Sequence, residues 1–372
     1  MIFLDTSNYL PKYIQVKKLI EKSVEEAMIS SGDRMPSESK LTEKYNVSRH
    51  TVRKALDMLE REGVIEKKQG IGTFYRGMSS RSGNIGFISI SLYDYIFADI
   101  LSGADDILHQ KGYQIILGNS QDNLDRERTI LEQFLEKDID GLIIEPAKSA
   151  LSHSNLTLLQ DLLEREIPIV TLDSKYSDKH FNSVVVNDQL GGSIAANHLI
   201  KLGHKRIAII YKNIHNPALE RLHGYKQALN KESIPIQKEL IRAYHNSEFE
   251  KHDLFEKEIR SICRNLINLK RPPTAIFCFN DQIAVLVKEI LSEQGVGVPE
   301  DISLIGFDDS SLVNLNTISI ASVSHPKQAA GKKAAEILLS EIENGQINSA
   351  INKIFEPKLV KRDSIRNLNE EN

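Results

Sequence analysis

Residues 45–75, YNVSRHTVRKALDMLEREGVIEKKQGIGTFY, decide how the first part of the chain is read. Ser48 follows a tight NVS turn and can cap a helix whose Val52, Leu56 and Leu59 form one buried stripe, with Gly63 as a left-handed stop. Beyond it, VIEKKQGIGTFY alternates apolar and polar residues around Gly70 and Gly72, the pattern of a β-hairpin. Upstream, Val16, Leu19, Ile20, Val24 and Ala27 recur at helical spacing, and Gly32 follows as a stop. Ser37, after Pro36, can cap a short second helix that turns Leu41 and Tyr45 inward and ends near Asn46. Three helices and a hairpin make a winged helix-turn-helix (α+β) over residues 1–76.

Burying the stripe of the third helix turns Arg49, His50 and Arg53 outward. Such a face suits a major groove, because arginine bridges a guanine edge and a capped helix N-terminus favours phosphate. Lys67, Lys68 and Gln69 at the wing tip, with Gly70 allowing close approach, suit the adjacent backbone or minor groove. The bland alternative is a solvated face in which Arg49 and Arg53 accompany Asp57 and Glu60. The charge distribution favours a polyanion: residues 1–76 carry 14 Lys and Arg against 11 Asp and Glu, on a chain of net charge −4.

A chain of 372 residues suits two or three domains. Residues 77–83, GMSSRSG, are small, polar and unpatterned, as a linker is. From residue 84 short apolar runs recur: NIGFISI, QIILGNS, DGLIIEP, IPIVTLD, SVVVND, RIAIIY, TAIFCFN and ISLIGFD, each followed by helical patterning. Continuous apolar strands alternating with helices predict a doubly wound α/β architecture, divided by its length over 84–372 into two lobes around a ligand cleft. Cys263 and Cys278 read as buried thiols. No apolar run spans a bilayer and MIFLDTSNYLPKYIQ lacks the features of a secretory signal, so the expected location is the cytoplasm, at the nucleoid.

Residues 9–75 resemble the DNA-binding domain of GntR-type bacterial regulators. The resemblance implies operator contacts from Ser39 and Lys40 at the start of the second helix, from Ser48, Arg49, His50, Thr51 and Arg53, and from Gln69 and Gly70 in the wing. At Ser39 other members can carry arginine. Residues 84–362 resemble the LacI-type effector domain, itself similar to periplasmic sugar-binding proteins, through DGLIIEP, IPIVTLD, VVVNDQLGGSIAANHLIKLGHKRIAII, ERLHGYKQAL, PTAIFCFNDQIAV, VPEDISLIGFDDS and SVSHPKQAAGKKAAEILL. The pairing of these two parts, with DYIF and EPAKSAL, resembles arabinose-responsive repressors of Gram-positive bacteria. That implies double-stranded operator DNA, a small sugar, L-arabinose, and a second copy of the chain in a homodimer as partners.

A sugar site needs carboxylates and guanidinium donors for hydroxyls and aromatic faces for C–H groups. Candidates end the strands: Asp94, Tyr95 and Phe97, then Glu145 and Lys148, then Asp173 in the first lobe; Asn280, Asp281 and Asp308 in the second. Resemblance adds Arg221, in ERLHGY, as the ligand-binding arginine and His325 as a polar contact at the last crossover. Asp173 and Asn280 could instead be caps or strand-end hydrogen bonders, Glu145 and Lys148 could pair with one another, and Tyr95 could belong to the core. No nucleotide-binding, hydrolase, metalloprotease or Cys/His metal motif occurs, so neither enzyme, cofactor nor metal is expected. Two competing readings are a glycosidase acid pair and a transport module whose head binds protein. The sign of regulation, release or strengthening of DNA binding by sugar, stays open.

Overall fold

A computed structural model describes residues 11–26, 29–30, 32–61, 64–68, 71–75, 82–92, 95–151, 155–175, 181–245, 252–314, 319–344 and 350–370. The chain divides into two units, Met1–Ser82 and Gly83–Asn372.

In the first unit, helices α1 (Lys12–Glu26), α2 (Glu38–Tyr45) and α3 (Arg49–Arg61) precede the antiparallel pair β1 (Ile65–Lys68) and β2 (Gly72–Tyr75). The predicted stripes pack together: Val16, Ile20 and Val24 meet Leu41, Tyr45, Val52, Leu56 and Leu59. Ser37 accepts from the Lys40 amide to start α2, and Asn46, at φ 52°, ends it in the left-handed region that asparagine tolerates. Ser48 Oγ accepts from the Thr51 amide at 3.1 Å, so α3 begins on the serine that the spacing selected. Buried Tyr45 donates to the Leu19 carbonyl at 3.0 Å, pinning α2 to α1. The Met35 amide bonds Thr73 O at 2.8 Å, which backs the wing with the segment before α2. Gly63, Gln69, Gly70 and residues 76–81 lie outside the described residues.

The second unit holds two six-stranded sheets. The first lobe orders its strands β13-β7-β6-β5-β3-β4, all parallel, from β3 (Asn84–Ser89), β4 (Gln114–Asn119), β5 (Gly141–Ile144), β6 (Ile169–Leu172), β7 (Asn182–Val186) and β13 (Asn352–Phe355). Helices α4 (Phe97–Gln110) and α11 (Lys327–Asn344) cover one face, α5 (Leu124–Glu136) and α6 (Leu156–Glu164) the other. The second lobe runs β14-β12-β11-β10-β8-β9, built from β8 (Ile207–Lys212), β9 (Ile241–Tyr244), β10 (Ala275–Cys278), β11 (Ser303–Asp308), β12 (Ala321–Ser324) and the antiparallel β14 (Leu359–Val360). It lies between α7 (Asp188–Lys201) with α8 (Asn216–Lys231), and α9 (His252–Ile267) with α10 (Asp281–Glu293).

All eight apolar runs became strands. Four more, β9, β12, β13 and β14, escaped the pattern because they lie at or near sheet edges and are only partly buried, so none is a continuous apolar run. Three crossovers join the lobes, from β7 into α7, from β12 into α11, and from β13 into β14, and all leave the same side of the two sheets.

Glycines let helices α7 and α8 touch backbone to backbone. A Cβ on Gly224 would sit 1.9 Å from the Gln189 carbonyl oxygen, and one on Gly192 2.1 Å from that of Arg221. This approach seats the start of α7 against the inner turn of α8, where the cleft forms. Cys263 and Cys278 are buried, and burial pushes the Cys263 thiol up to about 12. Among the described residues no helix is long and apolar enough to cross a membrane, and no cluster of His, Cys, Asp or Glu is placed to hold a metal ion.

Candidate functional site

On the first unit, Ser39, Lys40, Ser48, Arg49, His50 and Arg53 are exposed and Thr51 half-exposed, on the first turns of α2 and α3. Arg53 Nη2 reaches Glu38 Oε2 at 3.2 Å, so one predicted DNA contact also braces the two helices of the motif. Lys67 departs from the expectation of a wing-tip contact. Its ammonium is drawn onto α3, bonding Asp57 and lying 2.9 Å from Glu60 Oε2, because two carboxylates one turn apart make a cation-sized gap beside β1. Asp57 and Glu60 pair with Lys67, Asp57 also acts on Arg53, and Arg49 and His50 are exposed at the capped N-terminus of α3. Gln69 and Gly70 lie outside the described residues.

The cleft of the second unit is organised by Arg221, on the inner face of α8. Its Nε donates to Asp188 Oδ1 at 2.8 Å and its Nη1 to the Phe279 carbonyl at 2.7 Å; Nη2 stands 3.8 Å from Asp308 Oδ1. The Phe307 ring centroid lies 3.5 Å from the guanidinium carbon and that of Phe279 4.9 Å away. A planar cation stacked on aromatic rings and forked onto carboxylates is a fixed donor array. From the other lobe, the Tyr95 hydroxyl donates to Asp308 Oδ2 at 2.5 Å. His325 Nε2 meets Asp173 Oδ1 at 2.9 Å, again lobe to lobe.

Three aspartates in or beside the ring have positive φ: Asp173 at 56° and Asp309 at 49°, in the left-handed region that aspartate tolerates better than most residues, and Asp308 at 101°, beyond it. Lys327 Nζ holds two of them by donating to the Asp308 and Asp309 carbonyls at 2.7 and 2.9 Å.

Several predicted residues take other places. Phe97 is a core residue: it opens α4 and packs edge-on against Phe87 at 5.8 Å, since the first helix of the lobe must bury an aromatic there. Asp281 is fully buried and accepts from the Ser310 amide at 2.7 Å and the Ser322 hydroxyl at 2.6 Å; it braces the turn after β11 and does not line the cleft. Asn280 caps α10 through Ile283 N, the cap alternative. Glu145 Oε2 accepts from Ser89 Oγ at 3.1 Å and the Ile90 amide at 3.2 Å, tying the end of β3 to β5. Lys148 sits at φ 45° with its amide on Asp122 Oδ1 at 2.9 Å. Asp94 lies outside the described residues. Asp188, Phe279 and Phe307 were missed; Asp188 reads in sequence as a helix start, and nothing local shows its partner 33 positions on.

Burial lifts the Asp188 carboxyl to about 6, Arg221 offsetting only part of it and Asp173 adding to it. Asp281 is pushed up by burial and by Asp308. Burial lowers His325, but Asp173, Asp308 and Asp188 outweigh it and raise the imidazole. All three shifts have one sign: the folded state holds more protons than the unfolded one, so stability falls as pH rises through the folded values. Thermal unfolding of the full chain is therefore expected at a temperature a few degrees higher at pH 5.5 than at pH 8, each 1 kcal/mol being worth roughly 2–4 °C. Asp281→Asn flattens the profile, and an unchanged profile contradicts the assignment. Asp122 sets the acid limit: burial alone would raise it, but His215 and Lys212 hold it well below the usual carboxylate range, so its contribution is lost only as pH falls below about 4.

A DNA-reading head joined to a two-lobed body with a polyol-type cleft defines a ligand-responsive transcriptional regulator. Comparison with known proteins agrees. Residues 12–74 match the gntR family of bacterial regulatory proteins and residues 196–365 the periplasmic binding protein-like domain. The chain is similar to the arabinose metabolism transcriptional repressor of Geobacillus stearothermophilus, 33% identical over 96% of this chain and 99% of that one. It is also similar to that of Halalkalibacterium halodurans, 32% identical over 95% and 96%. In fold, it aligns with a cellobiose complex of the transcriptional regulator CelR at a TM-score of 0.67, 20% identical, over 86% of this chain and 91% of that one. The chain belongs to the family of arabinose metabolism transcriptional repressors.

Proposed function

We propose that this protein represses transcription as a homodimer on a two-fold-related operator and is released when L-arabinose binds between the lobes of its body. The observation that carries the reading is the ring of Arg221, Asp308, Asp188, Tyr95, Asp173 and His325 drawn from both lobes. Carboxylates and a stacked guanidinium are costly to desolvate unless each gains partners, and a ring of hydroxyls supplies them while the aromatic faces meet its C–H groups. His325 Nδ1 is buried with no hydrogen-bond partner among the described residues, a cost of about 1–3 kcal/mol that a sugar hydroxyl relieves.

Sugar binding changes the population of lobe arrangements by its differential affinity for them, typically about 1–3 kcal/mol. Through the dimer, that change alters the spacing between two heads whose recognition helices must meet half-sites about one helical turn apart. The test is release of labelled operator DNA by L-arabinose but not by D-xylose, D-galactose or D-ribose. Release by another of the four reassigns the effector; tighter binding with L-arabinose makes it a corepressor.

A further inference from the structure

A second polar cluster joins the lobes away from the sugar ring, and no part of the preceding mechanism uses it. Asp122, after β4 in the first lobe, is fully buried. Its Oδ2 accepts from Lys212 Nζ at 3.0 Å and lies 3.0 Å from His215 Nε2, both on the second lobe. Lys212 keeps only 2% of its side chain exposed, unusual for a lysine unless it is paired. Asn216 of the second lobe adds two bonds to Ser149 of the first, from its amide to Oγ at 2.9 Å and from Nδ2 to the carbonyl at 2.7 Å.

The place of this cluster decides its meaning. The three crossovers leave the side of the sheets formed by β7, β13, β12 and β14, whereas Asp122 follows β4, and Lys212 and His215 end or follow β8, toward the opposite edge; Ser149 follows the central β5. Asp173, Phe279 and Asp308 lie nearer the crossovers, after or at the ends of β6, β10 and β11, and Tyr95 follows β3, beside β4. Any hinge at the crossovers opens the lobes furthest at Asp122, so bonds there have the greatest leverage on closure. An ion pair sealed between lobes is also nearly balanced against hydration of the same charges in water. Such a contact holds the closed state without making it irreversible.

We propose that Asp122, Lys212 and His215 form a latch that favours the closed arrangement of the lobes, and that these positioning residues set sugar affinity without touching the sugar. The latch rests on the sugar-cleft reading only for that last clause. Closure in the unliganded protein raises apparent affinity, because the competent state is already populated, and slows entry, because the mouth must open.

The test uses the full chain with spin labels at Glu132→Cys on α5 and Gln227→Cys on α8, two exposed positions, the native cysteines being buried. Interlobe distance is measured without sugar, then L-arabinose association and dissociation rates, in the parent, Asp122→Asn, Lys212→Met and the double variant. The double variant leaves neither charge buried alone, so it folds where a single variant fails. The expected result is a longer distance in the variants, with both rates faster and affinity lower by about 5–150-fold. Partial unfolding would instead reduce binding stoichiometry and leave the rates alone. An unchanged distance overturns the latch whatever the sugar does. A longer distance in a protein that binds no L-arabinose upholds the latch and removes the sugar assignment.

Discussion

Replacing Arg221 with alanine is expected to weaken sugar binding by about two orders of magnitude or more, while operator binding persists and no longer responds to sugar. The guanidinium is the common partner of Asp188 and the Phe279 carbonyl, stands 3.8 Å from Asp308 and is stacked on Phe307. Truncating one member of a buried, hydrogen-bonded charge pair costs about 2–5 kcal/mol, and each 1.4 kcal/mol is tenfold in affinity. Loss of the cation also leaves Asp188 and Asp308 as like charges, which misplaces the Tyr95 hydroxyl that Asp308 accepts. Arg221→Lys keeps the charge but loses the fork and the stacked plane, and an intermediate loss is expected from it. Calorimetry on folded variants, with the DNA-binding head as internal control, reads the effect. Undiminished affinity in Arg221→Ala would place the sugar elsewhere.

Arg49→Ala is the second large effect. A bidentate arginine on a guanine edge discriminates by about 1–3 kcal/mol, so operator affinity should drop by about 5–150-fold with a much smaller loss on random duplex. Arg49 is a cleaner probe than Arg53, whose tie to Glu38 makes its removal a structural change as well. Equal losses on both DNAs, with a salt slope reduced by about 1, would demote Arg49 to a phosphate contact.

The head was legible because its instructions are local. Ser37, Asn46 and Ser48 cap or stop helices within three or four residues of themselves, and the stripe of Val52, Leu56 and Leu59 needs only helical period to be seen. The body was legible where strands are apolar throughout and fully buried, as β5 and β10 are with four residues each, and illegible where they are only partly buried, as in β13 and β14.

Among cleft residues, those placed by strand ends were easy to nominate and hard to distinguish. Asp281 and Asp308 each follow an apolar run, yet one braces Ser310 and Ser322 while the other faces Tyr95 and Arg221, because only the turn after β11 separates floor from wall. Tyr95 and Phe97 are two residues apart, and the start of α4 sends the phenylalanine into the core. Asp188 with Arg221, and Asp122 with Lys212, are pairs 33 and 90 positions apart, made by helix contact and lobe closure that no local pattern encodes. Lys67 carried the charge of a DNA contact but met Asp57 and Glu60 first.

The most direct measurement is anisotropy of a labelled operator duplex, selected from random DNA by the protein itself, as L-arabinose is titrated into the preformed complex at fixed salt. Release of the operator at saturating sugar, with affinity lowered by about 5–150-fold and random-DNA binding unchanged, is the predicted result. Operator affinity that stays constant at every sugar concentration would contradict the coupling between cleft and head.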